Sequence, residues 1–166
     1  MKKIRLALIL AMGFFGITRV YAQSWDLFSA HEASFDLFGF YGSRDKGGSS
    51  SSAAGPGVGF NYFFTQNFGI GADSYADAFT WPYLLNANGI FRYHIPGVCA
   101  APYAFAGFGR EWWHAPQWMG DFGGGLEYRP FRARPGLFVD VRGVFPTETR
   151  DYAVLRFGIR FVFNDN

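Results

Sequence analysis

Cysteine, charge and long apolar runs are all scarce in this 166-residue sequence, and each shortage excludes a class of protein. Cys99 is the only cysteine, so no disulfide can form within the chain. Charged residues make up 17% of the sequence and aromatic residues 21%, a balance that excludes a disordered chain and a protein that binds nucleic acid through a basic face. After residue 22, no apolar run reaches the roughly 18–20 residues that a membrane-spanning helix needs.

The first 22 residues have the pattern of a cleaved export signal. Basic residues near the N-terminus precede an apolar run over residues 6–17, which is too short for a membrane-spanning anchor helix. Small residues follow, and we predict cleavage after Ala22. The remaining domain, residues 23–166, then has a small net negative charge, because the signal carries basic residues and no acidic ones.

Alternation of apolar and polar residues with a period of two dominates the rest of the chain, and helical periodicity is missing. Segments of about ten residues alternate in this way and are separated by turn residues, which predicts eight strands. They cover residues 32–42, 57–65, 68–79, 82–94, 103–111, 118–129, 137–145 and 152–163. The polar segment 43–56, which is rich in Ser and Gly, is expected to form a long flexible loop.

The two faces of these strands differ sharply in charge. One face carries no charge, has Ser74 as its only clearly polar member, and includes Tyr103, Phe105, Gly107 and Gly109 on the fifth strand. The other face carries six acidic residues and six arginines: Asp36, Asp73, Asp77, Asp121, Glu127, Asp140, Arg92, Arg110, Arg129, Arg142, Arg156 and Arg160. It also holds large apolar residues, namely Phe38, Phe40, Phe63, Tyr75, Phe108 and Phe138.

A water-soluble barrel of eight strands would have to pack the apolar face inside, where so many aromatic rings would overfill it. The opposite arrangement, with the apolar face toward lipid and the charged face inside, fits better. A sheet in hydrocarbon must close on itself, because every backbone polar group there needs a partner. The sequence therefore predicts an all-β, eight-stranded antiparallel up-and-down transmembrane barrel. Trp112, Trp113 and Trp118 are expected to be anchors at the membrane interface.

The last three segments carry a family resemblance, in the sequences DFGGGLEYRP, LFVDVRGVFP and YAVLRFGIRFVF. They resemble the final strands of the small outer-membrane β-barrel family, which includes the transmembrane domain of outer membrane protein A and outer membrane protein X. The resemblance implies an outer-membrane location, both termini in the periplasm, and insertion by the β-barrel assembly machinery. It also implies an assembly signal in the closing alternation of Phe157, Ile159, Phe161 and Phe163.

Charges inside a narrow barrel should be paired, because an isolated buried charge costs several kcal/mol. The twelve predicted interior charges therefore favour an ion-paired plug. The leading hypothesis is a structural barrel that stabilises the envelope, contacts outer-membrane lipid and displays loops to an extracellular ligand. The alternatives are a small channel for ions or solutes, a lipid-modifying enzyme, and a soluble periplasmic lipid-binding barrel.

The sequence gives little support for a catalytic site or a metal site. His31, His94 and His114 are scattered, so they predict neither a metal site nor a cofactor. Ser74 is expected to face lipid, with no histidine at its level on a neighbouring strand to act as a base. We expect no enzymatic activity.

Overall fold

The computed structural model describes residues 27–46, 49–76, 84–95, 97–112, 116–130 and 135–164. The predicted export signal, residues 1–22, lies outside these ranges and stays a prediction. Within the described ranges, no helix has the length and apolar character needed to cross a membrane.

Eight antiparallel strands close into one barrel in the order of the chain, which confirms the predicted fold. Each strand pairs with the next, and the last pairs with the first from Glu32 opposite Asn164 to Ser43 opposite Ala153. The strands are β1 (Glu32–Lys46), β2 (Ser49–Phe63), β3 (Phe68–Tyr75), β4 (Leu84–Arg92), β5 (Ala100–Glu111), β6 (Gln117–Tyr128), β7 (Gly136–Pro146) and β8 (Tyr152–Asn164).

Side-chain burial alternates along the strands as the sequence pattern predicts. In β4 every second residue is buried, so Asn86 and Asn88 point into the barrel while Leu85 and Phe91 point outward. The outward set is large and apolar on all eight strands, for example Leu37, Phe60, Ile70, Leu85, Phe108, Phe122, Val141 and Phe157. The barrel is therefore apolar outside and charged inside, the reverse of a water-soluble domain.

The two ends of the barrel differ in their connections. At one end of the barrel β1 begins and β8 ends, and we call this the terminal end. Here β2 and β3 are joined by a tight turn. In this turn Thr65 Oγ1 accepts hydrogen bonds from the backbone N–H groups of Asn67 and Phe68, at 3.2 and 2.9 Å. The opposite end, the loop end, carries the β1–β2, β3–β4, β5–β6 and β7–β8 connections.

The predicted loop 43–56 is wrong, because most of it continues β1 and β2 as a hairpin. Pairing runs without interruption to Lys46 opposite Ser49. The register between β2 and β3 begins only at Gly57, so the far part of the hairpin is a two-stranded ribbon beyond the barrel wall. Composition suggested a flexible loop, but the backbone hydrogen bonds of the ribbon form regardless of its small side chains.

The predicted faces of β5 are also wrong. Tyr103, Phe105 and Gly109 lie inside, whereas Phe108 and Arg110 are exposed on the outer surface. A Cβ atom added to Gly109 would lie 3.0 Å from Cγ of Asn86, which shows how closely the neighbouring strand's side chain covers it. The same holds at Gly107, where an added Cβ would lie 2.9 Å from Cα of Asn88. Both faces of β5 are rich in apolar residues, so hydrophobicity alone could not assign them.

Candidate functional site: a lumen with two ion clusters

The barrel interior is packed with side chains from every strand. Its fully buried side chains include Phe63, Leu84, Arg92, Glu127, Arg142 and Val144. Charged and apolar residues are segregated into layers along the barrel axis, and the charged layers form two separate clusters.

The first group, the terminal ion cluster, lies near the terminal end and pairs three carboxylates with three guanidinium groups. Its members are Glu32, Asp36, Arg92, Glu127, Arg129 and Arg160. Glu32 Oε1 lies 2.7 Å from Arg92 Nη1 and 2.6 Å from Arg129 Nη2. Arg160 donates to Asp36 through Nε and Nη2, at 2.8 and 2.7 Å, and to Glu127 Oε2 at 2.7 Å. Every carboxylate in this cluster thus has close charged partners.

Aromatic rings flank the terminal ion cluster. The Arg92 guanidinium carbon lies 3.7 Å from the ring centroid of Phe63, and that of Arg129 lies 4.2 Å from Phe28. Arg129 follows the last residue of β6 and also donates to the backbone carbonyl of Leu27. Burial disfavours its charge, but the carboxylates of Glu127 and Glu32 outweigh this and raise the pKa of Arg129 above its usual range.

The second group, the central ion cluster, pairs three aspartates with two arginines. Its members are Asp73, Asp121, Asp140, Arg142 and Arg156. Arg142 donates to both oxygens of Asp73, at 3.1 and 2.7 Å, and Arg156 donates to both oxygens of Asp140, at 2.8 and 2.9 Å. Arg156 Nη1 also lies 3.2 Å from Asp73 Oδ2.

Hydrogen bonding in the central ion cluster is incomplete. Asp121 Oδ2 lies 3.5 Å from Arg142 Nη1, the longest contact in the cluster, and Asp121 Oδ1 has no hydrogen-bond partner in the described part of the chain. Arg142 Nε and Asn88 Oδ1 are likewise buried without a partner there. Asp121 thus has the longest ion-pair contact, and the cluster has one carboxylate more than it has guanidinium groups.

Apolar layers separate and cover the ion clusters. Phe63, Ile90, Tyr103 and Phe105 form a buried layer that contacts both clusters. Tyr103 donates from its hydroxyl to Asp140 Oδ2 at 2.6 Å, while its ring lies 5.6 Å from the Arg160 guanidinium. A second buried apolar group extends from the central cluster toward the loop end and consists of Phe38, Phe40, Tyr75, Leu84, Met119, Phe138, Val144 and Val154. Two of its members, Phe38 and Phe138, lie opposite Gly158, between the arginines of the two clusters.

Most of the predicted interior charges lie together in these two clusters: Asp36, Asp73, Arg92, Asp121, Glu127, Arg129, Asp140, Arg142, Arg156 and Arg160. Asp77 lies outside the described residues. Arg110 was placed wrongly by the sequence, because the face assignment of β5 was inverted and its side chain is on the outer surface.

Sequence reasoning missed one cluster member, Glu32, and one residue that binds a cluster, Tyr103. Glu32 lies four positions before Asp36 on β1, so the same alternation places it on the same face and could have identified it. Tyr103 was assigned to the lipid face and instead binds Asp140 in the lumen. Its interior position had no sequence signal, since tyrosines lie on both faces of this barrel, with Tyr75 inside and Tyr128 outside.

The predicted interfacial anchors lie at the loop end. Trp112 and Trp118 are 45% and 57% exposed on the outer surface, and Trp113 lies outside the described residues. On β8, Phe157, Ile159 and Phe163 are exposed and Phe161 is partly exposed, all on the outer face. Their role as an assembly signal stays a prediction.

The histidines and Ser74 do not come together. Ser74 lies opposite Val58 and Leu85 on the neighbouring strands. His31 Nδ1 lies 3.2 Å from the Tyr62 hydroxyl, the ring of His94 lies against Phe28, and His114 is outside the described residues. The described residues contain no group of three or more His, Cys, Asp or Glu side chains that could hold a metal ion.

Comparison with protein-family models and with curated proteins gives no significant match. Solved structures do match. The N-terminal β-barrel domain of OprF from Pseudomonas aeruginosa is 20% identical, with a TM-score of 0.60 over 81% of this chain and 99% of that one. Ail, the attachment invasion locus protein of Yersinia pestis, is 11% identical, with a TM-score of 0.56 over 81% and 99% of the two chains.

The outer membrane protein OprG from Pseudomonas aeruginosa is 10% identical, with a TM-score of 0.53 over 82% of this chain and 98% of that one. At these identities the likeness shows the fold. The chain has the fold of the small outer-membrane β-barrels, as its sequence predicted, and its apolar outer surface is that of an outer-membrane protein.

Proposed function

We propose that the protein is a structural barrel of the outer membrane that stabilises the envelope and displays its loop end outside the cell. The observation that carries this proposal is the packed lumen. Arg92 and Arg142, at the centres of the two ion clusters, are both fully buried. Their burial supports a lumen filled by side chains, since an eight-stranded barrel is narrow enough for side chains to fill it.

The outer surface supports membrane insertion rather than a soluble periplasmic role. Exposed rings and aliphatic side chains such as Phe68, Phe122 and Phe157 cover all sides of the barrel. A contiguous apolar surface of this kind is not tolerated by a soluble monomer. In a bilayer the same surface contacts outer-membrane lipid, and the β-barrel assembly machinery is the partner that would insert it.

The ribbon at the β1–β2 hairpin supports the display role. It projects from the loop end, where an external ligand would meet it first. An epitope tag at the hairpin tip should bind antibody on intact cells, whereas the same tag in the β2–β3 turn at Gln66 should bind only after the cells are lysed. Tag exposure at both positions, or at Gln66 alone, would contradict the proposed orientation.

A channel is the second candidate, favoured by the unpartnered polar atoms of the central ion cluster. Conductance across planar bilayers separates the two. The wild-type barrel should stay at the baseline, while the double variant Asp140→Ala with Arg156→Ala removes a bidentate pair at constant net charge and should admit ions. A wild-type current that changes with this variant would establish a channel and overturn the plugged lumen.

A further inference from the structure

Arg110 places a charge on the otherwise apolar outer surface of the barrel. Among the strand residues whose side chains the structure describes, every other charged residue is buried in the lumen, and Arg110 alone is exposed. Its neighbours across the sheet are Leu85 on β4 and Trp118 on β6. A charge that faces lipid is costly near the middle of the bilayer and is tolerated near the interface, so its depth and surroundings decide what it does.

The position of Arg110 is interfacial. It is the second-last residue of β5, at the loop end. Its guanidinium carbon lies 5.4 Å from the ring centroid of Trp118 and 5.9 Å from that of Trp112, and both indoles are exposed. Tryptophan is enriched where the headgroups of a membrane meet the acyl chains, so these rings hold the guanidinium at headgroup depth.

The charge of Arg110 has no protein counter-ion in the described ranges. The rings of Trp112 and Trp118 lie within 6 Å of its guanidinium carbon, and no described carboxylate lies within ion-pair distance. The N–H donors of a guanidinium point outward in its own plane, where they match the oxygens of a phosphate. Indole N–H groups can add further donors at the same depth.

We propose that Arg110, Trp112 and Trp118 form a binding site on the outer surface for the phosphate group of a membrane lipid in the leaflet at the loop end. The arginine supplies charge and paired donors, and the two indoles flank the headgroup and pack on the first part of the acyl chains. This inference rests on the membrane insertion proposed above, and it adds a specific lipid contact to it.

The test uses the full-length processed protein, folded in micelles of a neutral sugar-headgroup detergent, with the side-chain N–H signals followed by NMR. Phosphatidic acid is titrated in, and diacylglycerol with the same acyl chains is the control lipid. The Arg110 Nε–H signal, identified by its loss in Arg110→Gln, and the indole signals of Trp112 and Trp118 should shift and saturate with phosphatidic acid. Diacylglycerol should leave them unchanged.

Variants make the result specific. In Arg110→Gln the indole signals should no longer respond, and in Arg110→Lys the apparent dissociation constant should rise about tenfold, because lysine keeps the charge but loses the paired donors. Arg150 is the matched control, since it is an exposed arginine at the loop end in the β7–β8 connection. Its signal should not saturate, and Arg150→Gln should bind phosphatidic acid as the wild type does.

Three outcomes would overturn the proposal. They are an Arg110 signal that does not respond, a response shared equally by Arg150, and the same saturable shift with inorganic phosphate alone, which would show a site for a free anion. A heat-dependent gel mobility shift and flotation with phosphatidylcholine vesicles are measured on the same protein. Failure to float would refute membrane insertion itself, whereas an inserted barrel without the Arg110 response refutes only the lipid site.

Discussion

The two ion clusters of the lumen share their chemistry but differ in how completely their charges are compensated. The terminal ion cluster pairs three carboxylates with three guanidinium groups, and each carboxylate has at least one contact of 2.7 Å or less, such as the 2.6 Å from Glu32 to Arg129. The central ion cluster has three aspartates and two arginines, and the one ion-pair contact of its surplus member, Asp121, is 3.5 Å long. A barrel of this size can therefore contain one fully compensated charged layer and one that is not.

The difference indicates which buried charges stabilise the barrel and which contribute little to its stability. Burying an ion pair costs desolvation energy, and close geometry with several hydrogen bonds is needed to offset it. In the terminal ion cluster every carboxylate meets this condition, while Arg92 Nη2 is buried without a partner among the described residues. The cluster joins four strands, including β1 and β8, which pair with each other. The central ion cluster meets it for Asp73 and Asp140 but not for Asp121.

The largest effect is expected from Glu127→Gln in the terminal ion cluster. This glutamate accepts from Arg129 Nε at 2.6 Å and from Arg160 Nη1 at 2.7 Å, and it lies 3.7 Å from Arg92. Neutralising it leaves buried guanidinium groups in excess, and the free energy of unfolding should fall by about 3–5 kcal/mol. Urea unfolding in phosphatidylcholine vesicles, followed by the mobility of unheated samples on gels, measures the change.

Glu148→Gln is the control for this variant, because Glu148 is exposed in the β7–β8 connection. It should change the free energy of unfolding by no more than about 0.5 kcal/mol. Equal losses for the two glutamates would mean that charge compensation in the terminal ion cluster contributes nothing to the stability of the barrel. The proposed difference between the two clusters would then be wrong.

A smaller effect is expected from Asp140→Asn in the central ion cluster. The substitution weakens two hydrogen bonds from Arg156 and one from Tyr103, but Asp73 and Asp121 still balance the two arginines. The same urea experiment should show a loss of about 1–3 kcal/mol. A loss as large as that of Glu127→Gln would show that the surplus carboxylate does not compensate for the loss of the Asp140 charge.

The fold could be predicted from the sequence because it depends on a repeated signal. Eight alternating segments, with apolar rings on one face and charges on the other, define the strand number and the inverted barrel. The prediction failed where the signal is weak. In β5 only Arg110 and Glu111 are charged, and the interior glycines at 107 and 109 depend on the asparagines of β4, which sequence spacing does not reveal.

The pairing within the candidate site could not be predicted either, because partners come from distant segments. Arg160 and Asp36 are 124 residues apart in sequence, and they meet only because β8 pairs with β1 in one particular register. A shift of one residue would turn every charge on one strand toward lipid. The residues that enter the lumen could therefore be predicted from alternation, whereas the division into two clusters depends on the registers of all eight strands.

The smallest effect is expected from Asp121→Asn, and it is the sharpest test of the comparison. The substitution keeps the size of the side chain and removes the surplus negative charge. The four remaining charges, those of Asp73, Asp140, Arg142 and Arg156, are then balanced. The free energy of unfolding should change by less than about 1 kcal/mol, with any change toward higher stability, because a poorly compensated buried charge is removed. Asp140→Asn is its matched control, since it makes the same chemical change in the same cluster. Equal losses for the two aspartates would mean that Asp121 is compensated as fully as Asp140, and that the two layers of the lumen are equivalent.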